Sequence, residues 1–175
     1  FYPRTIAMSY LSAWHIENND LRKAGKPIVS IYNEMILFAI IQIAFIALIG
    51  WFFGVTIMFY YLAAAMLGIG LLETVNYIEH YGLRRKELEP GKFERAMPEH
   101  SWNSNHLVGR MMLFELSRHS DHHYLASRKY QILRHHDDAP QMPTGYPGMM
   151  ILAHFPPLFF YIMEKQMKKY GIVVQ

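Results

Sequence analysis

Apolar residues dominate one long block of the chain, and no charged residue interrupts it. The block runs from Met35 to Phe53 and again from Gly54 to Leu72, and Gln42 is its one strongly polar residue. Each half holds about 19 residues, which at helical rise span about 28 Å, close to the hydrocarbon core of a bilayer. The pattern predicts two membrane-spanning helices joined by a tight turn near Gly54.

Basic residues flank this block on both sides: Arg22, Lys23 and Lys26 before it, and Arg84, Arg85 and Lys86 after it. By the positive-inside rule, both open ends of the hairpin then lie in the cytoplasm, together with the polar region beyond Leu72. The alternative is a hydrophobic hairpin buried in a large soluble protein. Because an uncharged run of this length is rare in soluble cores, the pattern favours the membrane.

The segments around the hairpin show weaker helical patterns. Residues Tyr10 to Ala24 mix apolar and polar side chains at helical spacing, which predicts an interfacial helix. A second helical stretch is predicted from about Asn105 to Ala126. Met149 to Met163 is apolar but contains Pro156 and Pro157, which indicates a re-entrant or interfacial segment instead of a full span.

These patterns predict an all-α protein, an integral-membrane helical bundle fragment with a transmembrane hairpin and a cytoplasmic histidine-rich helical region. Four parts are expected: an interfacial helix and linker over 1–34, the hairpin over 35–72, the histidine-rich metal-site region over 73–148 and an interfacial or re-entrant segment over 149–175. The chain begins with Phe and shows no leader pattern, so we interpret it as a fragment or a processed product.

Composition narrows the possible chemistry. The chain has no cysteine, which excludes disulfides, thiolate zinc sites, iron–sulfur clusters and catalytic thiols from it, and leaves ten histidines as metal ligands. A net charge of +3 and a pI near 9.1 are compatible with nucleic acid, an anionic membrane or an acidic protein partner. No nucleic-acid module is visible, and the basic residues lie beside the apolar block, so no nucleic-acid partner is expected.

The strongest chemical motif is RHSDHH, at residues 118–123. Histidines at positions i, i+3 and i+4 share one face of a helix, so His119, His122 and His123 can converge on one site. Imidazole suits iron, copper and zinc. The alternatives are a solvated polar face, with Asp121 as a surface carboxylate, or a structural zinc site.

A second motif, NYIEHYGL, follows the second predicted span. Polar residues at this depth, among them Glu79 and His80, are costly in hydrocarbon unless they face a bundle interior or a site. The motif therefore indicates either a site at the cytoplasmic end of the span or ordinary interfacial residues.

Two further stretches carry paired histidines. In EHSWNSNH, His100 and His106 either orient metal-bound imidazoles through the N–H groups that these retain or belong to a polar, helix-capping loop. In LRHHDD, the adjacent His135 and His136 would diverge by about 100° on a helix, so both cannot easily bind one ion. Roles in orienting ligands or anchoring a loop are favoured for this pair.

Several separate strings, in this order and spacing, resemble the C-terminal half of the membrane-bound alkane 1-monooxygenases of the membrane fatty acid desaturase and hydroxylase superfamily: RTIAMSYLSAWHIE, NYIEHYGLRR, MPEHSWNSN, LSRHSDHH and LRHHDDAPQMPTGYPGM. The resemblance implies a helical membrane protein that holds two non-haem iron ions with histidines. The ligands it implies here are His80, His119, His122 and His123, with no catalytic residue beyond them. Residues expected to support these ligands are Glu79, His100, His106, Asp121, His135 and His136.

The resemblance also implies a reaction and its partners. The family hydroxylates the terminal methyl of n-alkanes to primary alcohols with O2, using electrons from rubredoxin and its NADH-dependent reductase. The expected location is the bacterial inner membrane, in a multi-pass protein that takes the alkane from the lipid bilayer and has its metal site on the cytoplasmic side. The family also has two upstream histidine boxes, of the HExxH and EHxxxHH kinds, and neither occurs before His80 in this chain. The fragment alone is therefore expected to be inactive.

Two smaller departures from the family are Ser117 and Tyr124, neither at a ligand position.

The alternatives to an alkane monooxygenase are a related di-iron methyl hydroxylase of the xylene type, a fatty-acyl desaturase, or a zinc-binding membrane protein without activity. The NYIEHYG and PQMPTGYPGM strings argue against the desaturases. A metal transporter would need polar ligands along the spans, and residues 35–72 offer almost none.

Overall fold

A computed structural model describes residues 1–172 of the chain. The predicted all-α class is confirmed, because the described residues are mostly helical. Two compact units are present, Phe1–Glu73 and Thr74–Gln175. The elements are α1 (Tyr2–Lys23), α2 (Glu34–Phe53), α3 (Val55–His80), β1 (Glu87–Glu89), β2 (Lys92–Phe93), α4 (Leu107–Met112), α5 (His119–Tyr124), α6 (Tyr146–Ala153) and α7 (Pro156–Lys169), with short 3₁₀ turns at Pro98–His100 and Tyr130–Ile132.

The first unit contains α1, α2 and most of α3. The buried Asn33 caps α2, because its side-chain oxygen accepts the N–H groups of Met35 and Ile36 at 3.0 and 3.3 Å. The same side chain donates to Asn18 Oδ1 at 3.2 Å, which joins the start of α2 to α1. Helix α1 begins at Tyr2 instead of Tyr10, since a proline in the first turn is compatible with a helix start.

The hairpin expected over residues 35–72 corresponds to α2 and α3. Gly54 separates the two helices with φ of +84°, a conformation that a residue with a Cβ rarely adopts. Both helices are long and apolar enough to cross a membrane, and their apolar windows are not buried within the described residues. Helix α3 continues past Leu72 to His80, because no helix-breaking residue intervenes, and this extension carries the polar residues of NYIEH.

The second unit packs around a core of buried side chains: Ile78, Trp102, Met142, Tyr146, Met149, Phe159, Met163 and Met167. Helix α7 lies against the end of α3, where the rings of Tyr77 and Phe159 are 5.6 Å apart. The indole N–H of Trp102 donates to the carbonyl of Tyr81 at 2.8 Å. The loop around Trp102 is therefore fastened directly to the residues that follow His80.

The continuous helix predicted from Asn105 to Ala126 is wrong. Helix α4 ends at Met112, and Phe114 and Glu115 adopt positive φ values of 49° and 66° before α5 begins. The Glu115 carboxylate accepts two hydrogen bonds from the Arg110 guanidinium, at 2.8 and 2.9 Å, and closes this turn. The break carries no glycine or proline, so local propensity could not reveal it.

The apolar stretch from Met149 to Met163 is divided between two helices. Helix α6 ends at Ala153, and Pro156 and Pro157 lie in the first turn of α7. A proline there loses no helical hydrogen bond, so the two prolines begin a helix instead of interrupting one. The re-entrant or interfacial placement of this segment, and the four-part division of the chain, remain predictions.

Gly82, just after α3, is a position where a side chain should cost stability. Its φ is +73°, and an added Cβ would lie 2.3 Å from Cε of the buried Met167. Gly91 is a matched control, because its φ is +77° and an added Cβ would meet nothing within 4 Å. We expect Gly91→Ala to lose about 1–2 kcal/mol from its backbone conformation. Gly82→Ala should lose about 1–3 kcal/mol more from overpacking.

Unfolding in detergent, followed by circular dichroism, measures both variants. Equal losses would show that Met167 moves aside without cost.

Candidate metal centre

Three imidazoles from two elements of the second unit converge. His80 is the last residue of α3, and His119 and His123 lie one turn apart on α5. One ring nitrogen from each lies within 4.8 Å of the others. The Nε2 atoms of His80 and His119 are 3.3 Å apart, and the rings of His119 and His123 have their centroids at 4.3 Å. These three residues are named the histidine cluster.

The other ring nitrogens of two cluster members lie near oxygen atoms. His80 Nδ1 lies 3.4 Å from the carbonyl oxygen of His100, and His119 Nδ1 lies 3.3 Å from Oε1 of Glu79. A carbonyl oxygen only accepts hydrogen bonds, so His80 Nδ1 carries the proton and its Nε2 keeps a lone pair. When Glu79 is ionised, His119 Nδ1 likewise carries the proton, and two lone pairs then face each other across 3.3 Å.

This arrangement fits a bound cation. Two imidazole nitrogens held about 2.1 Å from one ion lie about 3.0–3.4 Å apart at octahedral to tetrahedral angles. The separation of 3.3 Å between the His80 and His119 Nε2 atoms falls in that range. Without a cation, the two lone pairs would repel each other. The cluster therefore has the chemistry and the spacing of a metal site, and imidazole donors suit iron as well as zinc or copper.

The environment keeps His119 and His123 neutral. The pKa of His119 is lowered to about 2, mainly by burial and additionally by the neighbouring His123, His80 and His122. Burial likewise lowers the pKa of His123 to about 4, with added contributions from His80, His122 and Arg85. Neutral imidazole is the form that binds a metal, so both side chains are ready to bind at neutral pH.

His122 lies next to the cluster but is not part of it. Its ring centroid is 6.0 Å from that of His119 and 5.6 Å from that of His123. The i, i+3, i+4 spacing thus places the three histidine rings of α5 side by side. Only two of these residues belong to the histidine cluster, whose third member is His80 of α3.

Glu79 supports His119 from the protein interior. Its carboxylate is buried, and the hydroxyl of Tyr146 is hydrogen-bonded to it. The same hydroxyl lies 3.1 Å from the carbonyl oxygen of Trp102. Burial raises the pKa of Tyr146 well above its usual value, and Glu79 adds to that rise, so the phenol stays neutral. Tyr146 and Trp102 were not singled out from the sequence, although both lie in the PTGYPGM and EHSWNSN strings.

Asp121 is wholly buried, so it is not a surface carboxylate. It pairs with the Arg128 guanidinium and accepts the Arg134 backbone N–H at 2.8 Å. His136 Nε2 lies 2.9 Å from its Oδ1. Burial alone would raise the pKa of Asp121, but the hydrogen bonds from Arg134, His136 and Arg128 outweigh it and lower the pKa below its usual value. The carboxylate is therefore ionised.

The remaining histidines lie around the site in different roles. His100 accepts the Met97 backbone N–H at 3.0 Å through Nδ1, while its Nε2 lies 3.1 Å from Glu94. His135 Nδ1 lies 3.0 Å from the amide nitrogen of Asn103. His106 is exposed and stands at the N-cap of α4. Of these three, only His100 touches a cluster member, through its carbonyl oxygen on His80.

A cavity of about 360 Å³ opens beside the histidine cluster. His80 and His123 line it, together with His100, Met97 and Arg85. Both cluster histidines are exposed on this side, whereas His119 is buried behind them. Small molecules can therefore reach the cluster from the cavity.

Comparisons with known proteins show which proteins this chain is similar to. The family described as fatty acid desaturase matches residues 1–153. Alkane 1-monooxygenase 1 of Pseudomonas aeruginosa is 45% identical over 170 residues, which are 97% of this chain and 44% of that protein. The alkane 1-monooxygenase of Acinetobacter baylyi is 45% identical over 166 residues, 95% of this chain and 41% of that protein.

A more distant relative is the xylene/toluene monooxygenase hydroxylase component of Pseudomonas putida. It is 27% identical over 157 residues, 90% of this chain and 41% of that protein. The chain thus spans less than half the length of the curated relatives it matches.

Proposed function

The chain belongs to the fatty acid desaturase family, and on that premise we propose that it is part of a membrane di-iron monooxygenase that hydroxylates the terminal methyl of n-alkanes. The observation that carries the proposal is the histidine cluster, in which the Nε2 atoms of His80 and His119 lie 3.3 Å apart. The similarity to alkane 1-monooxygenases over nearly the whole chain supports the substrate class.

The ligands we propose are His80, His119 and His123, with His122 beside them as the fourth. Two ions need more ligands than these four, so we propose that the rest of the full-length protein supplies the others. Bound iron supplies the activation of O2 and the cleavage of the C–H bond, which side chains alone cannot perform.

The protein's own side chains then orient the imidazole ligands. Glu79 and the His100 carbonyl hold the Nδ1 protons of His119 and His80, which directs both Nε2 atoms toward the site. Tyr146 holds Glu79 in turn. The cavity beside His123 is the route by which O2 and the alkane methyl would approach.

The partners and the location follow from the same proposal. The electrons would come from rubredoxin and its NADH-dependent reductase, and the alkane from the lipid bilayer around α2 and α3. The proposed location is the bacterial inner membrane, in a multi-pass protein with the metal site on the cytoplasmic side. Arg84, Arg85 and Lys86 follow α3 directly and would suit an acidic electron carrier.

The second candidate is hydroxylation of an aromatic methyl group. The similarity to the xylene/toluene monooxygenase component favours it, although at 27% identity against 45% for the alkane enzymes. The two reactions would share the same metal centre and differ in the shape of the substrate channel.

A chimera tests the proposal. This chain replaces the aligned segment of the Pseudomonas aeruginosa alkane 1-monooxygenase 1, and iron content and products are measured with rubredoxin, reductase and NADH. Octane and toluene serve as substrates. Bound iron with 1-octanol as the main product supports the proposal.

Benzyl alcohol as the main product would favour the second candidate, and an alkene would indicate a desaturase. A chimera that holds zinc and oxidises nothing would overturn the proposal.

A further inference from the structure

Helix α5 carries three histidines but has little stability of its own. It has six residues, and its N-cap residue, Arg118, makes no side-chain capping hydrogen bond. A helix this short is not stable in isolation, because too few hydrogen bonds offset the cost of starting it. Its position must therefore come from tertiary contacts of its buried residues, which are His119, Ser120 and Asp121.

Asp121 is the best-connected of these residues. It lies two positions from His119 and two from His123, so the contacts of its carboxylate hold the short helix that carries both imidazoles. Asp121 has three partners outside the helix among the described residues, and of these the Arg128 guanidinium is the one that always carries a full positive charge. A buried carboxylate needs such a charge, because hydrogen bonds alone leave it poorly compensated for lost water.

Arg128 is itself held in place. Its backbone N–H donates to the Leu125 carbonyl at 2.9 Å, and its side chain is only 13% exposed. The backbone of Arg128 thus closes the turn after α5, and its guanidinium pairs with Asp121 in the middle of the helix. By contrast, Arg95 is exposed, and its guanidinium donates a hydrogen bond to the Tyr124 carbonyl oxygen, at the end of α5, at 2.9 Å.

We infer that Arg128 is a positioning residue for the metal centre, because its ion pair with the buried Asp121 fixes α5 and thereby the His119 and His123 nitrogens. The inference rests on the proposed function only in taking the histidine cluster as the metal site. Arg128 touches neither metal nor substrate. Its loss should change the affinity and the coordination geometry of the ion while the histidines remain.

The test measures Co²⁺ binding to the chimera described above, in lipid nanodiscs. The variants are Arg128→Ala, Arg128→Lys and the control Arg134→Ala, which removes an exposed side chain but keeps the backbone N–H on Asp121. We expect Arg128→Ala to weaken Co²⁺ binding about 10–100-fold, as for other residues that orient ligands, and to shift the visible cobalt band. Arg128→Lys should recover part of both, and Arg134→Ala should match the parent.

A fourth variant covers the case in which Arg128→Ala does not fold. Asp121→Asn combined with Arg128→Met leaves no unpaired buried charge, so it should fold while the cobalt band still shifts. Parent-like affinity and band in either folded variant would overturn the inference. If the parent chimera binds no Co²⁺ at all, the histidine cluster is not a metal site, and the proposed function fails with it.

Discussion

Replacing His119 with alanine should remove most of the bound iron from the chimera and abolish 1-octanol formation. His119 is the buried member of the histidine cluster, and its Nε2 lies 3.3 Å from that of His80. An alanine removes one ligand and leaves the buried Glu79 without its imidazole partner. Because orienting residues alone are worth about 10–100-fold in metal affinity, loss of a ligand should exceed about 100-fold.

The measurement is iron per chain after purification, with product formation assayed on the same sample. His15→Ala is the matched control, since His15 is exposed on α1 and should leave both quantities unchanged. If His119→Ala kept the parent's iron and activity, the assignment of His119 as a ligand would be wrong. Loss of activity with full iron would instead give His119 a role in orienting the site.

Replacing Glu79 with alanine should weaken metal binding about 10–100-fold while all the imidazoles remain. The Glu79 carboxylate lies 3.3 Å from Nδ1 of His119 and fixes the tautomer that presents Nε2. Without this acceptor, the ring can rotate or protonate the wrong nitrogen. Glu79→Gln keeps an oxygen acceptor and should lose less affinity than Glu79→Ala.

Co²⁺ titration of the chimera in nanodiscs gives the three affinities. Glu99→Ala serves as a control, because Glu99 is an exposed carboxylate close in sequence to His100. Equal affinities for the parent and Glu79→Ala would mean that packing alone orients His119. A Gln variant weaker than the Ala variant would contradict the acceptor role.

Several elements could be predicted because their signals are local. The absence of charge from Met35 to Leu72 specifies two long apolar helices, and Gly54 supplies the turn between them. The RHSDHH motif places its rings side by side on α5 because helical spacing does so without help from the rest of the protein. The resemblance to alkane monooxygenases, confirmed by relatives at 45% identity, rested on whole motifs.

Other elements depend on contacts between distant residues and carry no local signal. The turn at Phe114 and Glu115 is held by an ion pair with Arg110 and contains neither glycine nor proline. Tyr146 supports Glu79 from the start of α6, far along the chain, and a tyrosine between glycine and proline gives no indication of that role.

What the sequence determined by itself was therefore the all-α class, the two long apolar helices of the hairpin and the supply of histidines, since hydrophobic patterning and helical periodicity act over a few residues. The tertiary structure alone decided which histidines meet. His80 and His119 are 39 positions apart, and their approach to 3.3 Å depends on the end of α3, on Glu79 and on the buried Asp121. Burial then keeps His119 and His123 neutral, because the protein interior disfavours their charged forms.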